Sequence, residues 1–428
     1  MLQRFTELFR SQEKLSDKWV LFLIFLFPIA GPVVRHWNSS IFVLLSLTSL
    51  YFLFAKKDRK PLLKEEKIYL WTFFLFFCVF LVSTISNGYS WEKIQAQGLG
   101  TEINFLLFIP IYLLIRENSS AKKALFAGIL LSIPVIFLFS LYEYLYNSPN
   151  FPVIGLTGAY SQLFLGPIAA LSLLMSYYAY KQWLSNNNRW LTILVPVFIF
   201  MGLFTILFSL SRIGYITVLF GSFFIILILA KSFKNILLTC TLIILTAIYS
   251  QQIDSVKFKT DKALTNFSEY INAENNSKKD LQFSSVGLRL ETWRSAQYIY
   301  KEHPFIGIGN GNYPNVIKKY INKGLVSPSV VLMGHAHNTF IEALISKGTI
   351  GLLMLLIIFY FPVYIAWKNK NKNHLSFVTV STFASAITLM SIGESMLINK
   401  NNGVSYLLVF SAILFSSLLQ EIHKKTLR

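Results

Sequence analysis

Apolar stretches long enough to cross a bilayer recur along the chain, separated by short polar segments. Twelve are read, at 19–34, 40–54, 68–86, 101–115, 122–143, 160–180, 190–208, 212–230, 235–250, 338–366, 375–396 and 403–420. Lipid offers backbone N–H and C=O groups no partner, so such segments must close their own hydrogen bonds as helices. No alternating period of two supports a membrane barrel. The pattern predicts an all-α polytopic membrane protein of about 12 transmembrane helices. One polar interval, 251–337, separates helices 1–9 (1–250) from helices 10–12 (338–428). Its first part, TDKALTNFSEYINAENNSKKD, is polar and is expected to cap the body or to move. Its second part, SVGLRLETWRSAQYIYKE, reads as an amphipathic helix, because Leu288, Trp293, Ala296 and Ile299/Tyr300 recur near helical spacing. HPFIGIGNGNYPN follows, and its Gly, Asn and Pro content marks a structured turn.

Charge gives these helices a direction. Only 14% of the 428 residues are charged, against 54% hydrophobic, where a soluble domain carries about 25% charged. Disorder is excluded, and an ordinary soluble enzyme does not fit. Lys and Arg number 39 against 20 Asp and Glu, a net charge of +19. With both termini assigned to the cytoplasm, the inward segments 1–18, 55–67, 116–123, 181–189, 231–236, 367–374 and 420–428 hold 23 of the basic residues. The short outward loops hold only Arg35, Lys93, Arg212 and Lys400. This bias sets the orientation, and an even helix number agrees with it. The basic excess thus belongs to an anionic leaflet and not to nucleic acid. The interval 251–337 is then a large outward loop with 11 basic and 7 acidic residues, long enough to escape the charge rule. The first apolar run leads straight to a second, so it is read as a retained helix and not as a cleaved signal peptide. Cys78 and Cys240 both fall in apolar runs, which predicts no disulfide framework and no Cys/His metal site.

The candidate chemistry lies on the outward side. In GHAHNTFIEALISKGTIG (334–351) a helix starting near His337 returns Gly348 to the same face within about 20°, and Gly351 about 40° to the other side. Imidazole and glycines would share a face, with the glycines admitting a neighbouring helix. An interfacial histidine above a packing seam is the competing reading. Arg212, in FSLSRIGY, breaks the charge bias at the outer end of helix eight; a snorkelling arginine and a bound anion both fit. Arg289 sits in the apolar stretch Val286–Leu290, while Arg294 and Lys301 read as a solvated face; Arg35 is a weaker cation candidate. Arginine forks bind phosphate oxygens bidentately, and a neutral imidazole accepts a proton from a hydroxyl. Together they suit attack by an alcohol on a carbon that carries a phosphate leaving group, with a polyprenyl-diphosphate sugar as donor. Among the membrane-side carboxylates Glu102, Glu143, Glu342 and Glu394, Glu342 lies about 140° round from His337 and cannot orient it from the same face. No D-x-D, E-x-D or D-x-E occurs outside, so no metal is expected. GIGNGN (307–312) lacks the strand of a dinucleotide fold.

The segment His337-Asn338, nine residues, then Gly348-Thr349-Ile350-Gly351 resembles the H-[NSQ]-x9-GxxG signature of bacterial O-antigen ligases, part of a superfamily with O-antigen polymerases and protein O-oligosaccharyltransferases. Arg212 before a large loop, the Gly287-x-Arg289-Leu290 element and the stretch 304–313 are similar as well, so the resemblance runs along nearly the whole chain. It implies a GT-C-type glycosyltransferase in the bacterial inner membrane, working at the periplasmic face without a cofactor or metal. The donor would be an undecaprenyl-diphosphate-linked glycan, and the acceptor a hydroxyl of lipid A-core oligosaccharide. Carried over by motif, Arg212 and Arg289 bind the donor diphosphate and His337 activates the acceptor. Asn338 and Gly287 lie in the same motifs as supporting residues. His335, in H-x-H-N spacing, is placed to hold the acceptor or tune His337. A polymerase using a lipid-linked acceptor and a protein O-oligosaccharyltransferase remain open beside the ligase. A polyprenyl-glycan transporter is further away, since most of the notable charges sit at one surface rather than in mid-bilayer, Glu394 being the main exception.

Overall fold

The computed structural model describes residues 15–55, 59–88, 99–147, 156, 158, 162–184, 189–229, 232–252, 254–275, 284–394 and 401–426. Lys93, Lys400, most basic residues of 1–18 and the end of the polar stretch 260–280 lie outside them. The described residues form helices and turns, with no strand. In chain order the helices are α1 (Leu15–Leu26), α2 (Trp37–Ala55), α3 (Lys64–Ser86), α4 (Gly100–Ile115), α5 (Ala121–Tyr142), α6 (Gln162–Leu184), α7 (Arg189–Phe208), α8 (Arg212–Leu229) and α9 (Phe233–Ser250). Then come α10 (Asp254–Asn275), α11 (Ser285–Glu302), α12 (Tyr313–Asn322), α13 (Thr339–Lys368), α14 (His374–Gly393) and α15 (Asn401–Thr426).

Seven of them, α2, α3, α5, α6, α13, α14 and α15, are long and apolar enough to cross a membrane; α4 and the apolar parts of α7 and α8 are shorter. The chain is a multi-pass helical membrane protein. The first apolar run is helical only to Leu26. Pro28, Gly31 and Pro32 then force turns, whose carbonyls at Leu26 and Phe27 accept from Trp37 Nε1 and Asn38 Nδ2, both at 2.8 Å. Aromatic rings fill the body: Phe73 and Phe108 stack with centroids 3.7 Å apart, and Tyr69 meets Phe361 and Phe415.

The polar interval is more ordered than its composition suggested. Much of the stretch expected to cap or move is helix α10, which packs on α11. Helix α11 spans the predicted amphipathic segment, and Ser284 Oγ caps it by accepting from Gly287 N–H at 3.3 Å. The face that α11 buries is centred on Glu291, Thr292, Ser295, Ala296 and Ile299 rather than on the apolar residues alone. Glu291, fully buried, accepts from Tyr270 on α10 (2.9 Å) and from Ser327 N–H (3.1 Å), and so ties three segments together. A separate apolar cluster, with Ile299, Ile308, Tyr313, Ile317 and Val330, joins this region to Ile345 of α13.

The join to the membrane helices is a backbone exchange. Gly348 interrupts α13 with φ 66° and ψ −167°. In an unbroken helix Thr349 and Ile350 N–H would bond Ile345 and Ser346 C=O. Here they donate instead to Pro304 C=O (2.8 Å) and Phe305 C=O (3.3 Å). The orphaned Ile345 and Ser346 carbonyls accept from Ile308 N–H and Gly309 N–H, both at 2.9 Å. The glycine-rich turn therefore completes the broken helix, and every displaced backbone group keeps a partner.

Candidate functional site

The exchange fixes the segment that leads into α13. The helix starts at Thr339, two residues after His337: Asn338 is its N-cap, and Oδ1 accepts from Phe340 and Ile341 N–H at 3.0 and 3.1 Å. Ahead of the cap, His337 adopts a left-handed backbone, φ 49°, uncommon for a residue with a Cβ. Several bonds hold it there. Trp293 Nε1 on α11 donates to Ala336 C=O (2.8 Å), and Ala336 N–H donates to Glu342 (2.7 Å). Asn338 Nδ2 donates to Ile392 C=O (3.1 Å) and Thr339 Oγ1 to Glu394 C=O (3.1 Å). These last two bonds draw the end of α14 alongside and bring in Glu394.

Glu394 is the hub. His337 Nδ1 lies 2.8 Å from its Oε1, Arg289 Nη2 3.2 Å from its Oε2, and His335 Nε2 3.6 Å from Oε1. The two imidazole rings sit 4.0 Å apart. Burial alone would raise the Glu394 carboxyl. Its contacts with the two imidazoles and the charge of Arg289 outweigh that and hold it well below the usual carboxylate range. An ionised carboxylate can only accept, so His337 must carry its proton on Nδ1, which leaves Nε2 as the basic nitrogen. The site remains reachable: the Arg289, His335, His337 and Glu394 side chains keep 28%, 25%, 21% and 13% exposure.

Arg212 begins α8 immediately after Ser211, whose Oγ accepts from Gly214 N–H (3.3 Å). The preceding Leu210 also has a left-handed backbone, φ 52°. Helix α8 packs on α14 so closely that a Cβ on Gly393 would stand 2.7 Å from Ile213. Arg212 thus adjoins the contact between α8 and the end of α14, where it is half-buried and feels the like charge of Arg289. A cation at a helix N-terminus opposes the macrodipole, so an anion there would relieve both.

Of the residues singled out in the sequence, Arg289, His335 and His337 meet at Glu394 with Arg212 in electrostatic reach. Arg35 lies exposed in the turn between α1 and α2. The polar groups of Asn338 are spent on the cap and on Ile392, and the Gly287 N–H on Ser284. The helix-packing role expected of Gly348 is corrected. A Cβ on Gly348 would come within 2.2 Å of Phe305 backbone, so this glycine admits the turn, not a neighbouring helix. Gly351 makes room for the Lys347 side chain, 2.2 Å from where its Cβ would be. Folding also assembles a group that no spacing along the chain marks: ligand atoms of His335, His337 and Glu394 lie within 4.8 Å of one another.

Two further features carry no site role in the sequence. One is Glu394 itself, an interfacial carboxylate closing an apolar run, a signal that merits a functional reading by default. The other is Lys347, fully buried, with Nζ 2.8 Å from Glu102 and 2.9 Å from Asn310 Oδ1. A lysine inside an apolar run was the available signal.

A multi-pass helical membrane protein with a reachable histidine–carboxylate–arginine cluster at one face is the class that these features define. Residues 196–356 match the family described as O-antigen ligase. The match includes Arg212, Arg289, both histidines and the Gly348 break; Glu394 lies beyond it. That family is one of glycosyltransferase-like enzymes acting on lipid-linked glycans, a likeness that supports an enzyme at this coarse level. A Haemophilus influenzae protein described as uncharacterized is similar over a longer span: it is 26% identical over 381 residues, 85% of this chain and 88% of the relative.

Proposed function

We propose that the protein is a GT-C-type O-antigen ligase of the bacterial inner membrane, built on twelve transmembrane helices with both termini in the cytoplasm. It moves glycan from undecaprenyl diphosphate to a hydroxyl of lipid A-core oligosaccharide at the periplasmic face. The observation that carries this reading is the His337–Glu394 pair beside two arginines.

Each part has a task. Glu394 fixes the tautomer, and His337 Nε2 takes the proton from the acceptor hydroxyl as oxygen attacks the anomeric carbon. Glu394 then stabilises the imidazolium that results, as the carboxylate of a catalytic triad does. The bond from that carbon to the diphosphate oxygen breaks, and the leaving group departs as an anion. Arg289 and Arg212 neutralise the charge that develops on it, the α8 N-terminus adding its dipole. A diphosphate leaves without a general acid, so one base and fixed positive charge suffice. Part of the donor's isoprenoid chain would find an apolar surface nearby. An apolar cavity of about 370 Å³ lies between α5, α6, α7 and α8, lined by residues such as Leu173, Phe198, Val218 and Ile225. Its nearest α8 residue, Val218, is about 9 Å along the helix from Arg212.

The test is reconstitution of the purified protein with polyprenyl-diphosphate-linked polysaccharide and rough lipopolysaccharide, in chelator. A ladder on lipid A-core is expected. Extension of lipid-linked repeat units alone would make the protein a polymerase, and lipid translocation without transfer would overturn the enzyme reading.

A further inference from the structure

The set around Glu394 has a second chemistry that the transfer reaction does not use. His335, His337 and Glu394 converge from two segments, 335–337 and the end of α14: one ligand atom of each lies within 4.8 Å of the others, and His335 Nε2 and His337 Nδ1 both face Glu394 Oε1. Two separations are 2.8 and 3.6 Å. Ligands on a tetrahedral Zn²⁺ ion stand about 2.0–2.2 Å from the metal, hence about 3.3–3.5 Å apart. Small side-chain movements reach that geometry. Two imidazoles and one carboxylate with an open fourth position suit a borderline divalent ion such as Zn²⁺ rather than Mg²⁺ or Ca²⁺, which require oxygen ligands.

We propose that His335, His337 and Glu394 form a binding site for Zn²⁺ and similar transition ions, and that occupancy switches the transferase off. The inhibitory half rests on the transferase reading; the binding half stands on the geometry alone. The switch follows from the tautomer. In the metal-free site His337 Nδ1–H donates to Glu394, and Nε2 is basic. A metal on Nδ1 requires that nitrogen's lone pair, so the ring proton moves through solvent to Nε2, with no net proton lost from the ring. The nitrogen that would accept the acceptor's proton is then already protonated. The ion also competes with Arg289 for Glu394, which removes the arrangement that orients the guanidinium. Arg289, 3.2 Å from the carboxylate, opposes a cation and keeps the affinity modest, in the micromolar range. That repulsion gives the proposal a distinctive sign: loss of the arginine charge must tighten zinc binding while it weakens diphosphate binding.

The test is calorimetric titration of the full-length protein in detergent with ZnCl₂ alone, together with X-ray absorption at the zinc edge. The wild type is expected to bind one ion through two imidazoles and oxygen. H335N and E394Q should each weaken binding at least about tenfold, while H374N, distant in sequence at the start of α14, should leave it unchanged. R289Q should tighten it about tenfold, an effect that misfolding cannot imitate. No binding tighter than about 100 µM, or affinity that is insensitive to H335N and E394Q, would overturn the site. Zinc that binds as described but leaves glycan transfer at full rate would overturn the switch. Zinc binding without transfer to any acceptor in chelator would leave the site standing and reject the transferase reading instead.

Discussion

Two glutamates tie the polar interval 251–337 to the membrane helices, and they do it in opposite ways. Glu102 on α4 meets Lys347 on α13 and Asn310 in the glycine-rich turn, with the two charged side chains 1% and 0% exposed. Lys347 Nζ also sits 5.2 Å above the Phe76 ring. Glu394 meets Arg289, His335 and His337, all between 13% and 28% exposed, beside a histidine with a left-handed backbone. The first cluster is sealed and locks the turn to the Gly348 break. The second is open, strained and richer in cations than one carboxylate needs. Burial costs the sealed pair so much that it tolerates no loss of a partner. The open cluster has water to replace what is removed, so its design has to be explained by what it does to a ligand.

The contrast can be broken by substitutions, taken from the largest expected effect down. H337A should lower glycan transfer about 10²–10⁴-fold while the protein unfolds at an unchanged denaturant concentration in detergent. K347M should do the reverse. It leaves Glu102 buried without its cation and should cost about 3–5 kcal/mol of stability, with turnover per folded molecule retained. Adding E102Q to K347M should recover much of that loss, because neutralising both partners of a buried pair removes the uncompensated charge. E394Q should slow transfer about 10²-fold, since the amide no longer stabilises an imidazolium, again with little change in unfolding. R212K should be mildest, raising KM for the donor about tenfold as the planar fork is lost. A stability loss in H337A as large as that in K347M would erase the distinction between the two clusters.

The two clusters also differ in how legible they were. The helical body was read from apolar runs because lipid leaves the backbone no alternative. Arg212, Arg289 and His337 stood out because each broke a local rule or matched a motif. Glu394 did not, since its role depends on α14 ending beside Asn338 and Thr339, contacts 54 and 55 residues apart in sequence. The helical phase drawn from His337 to Gly348 and Gly351 failed for a related reason. It assumed an unbroken helix, whereas the turn at 304–309 supplies hydrogen bonds that make a break at Gly348 tolerable. Lys347 was hidden by its own surroundings: its partners come from α4 and from the turn, 245 and 37 residues away.

The central claim is that Glu394 acts through His337, and a double-mutant cycle on the transfer rate tests it most directly. With reconstituted protein, donor and acceptor, the rates of wild type, H337A, E394Q and the double variant are compared. If Glu394 serves only to set and stabilise that imidazole, E394Q should cost nothing further in the H337A background, a coupling equal to the whole single-variant effect. Losses that simply multiply would contradict it, and would make Glu394 an independent contributor at the same face.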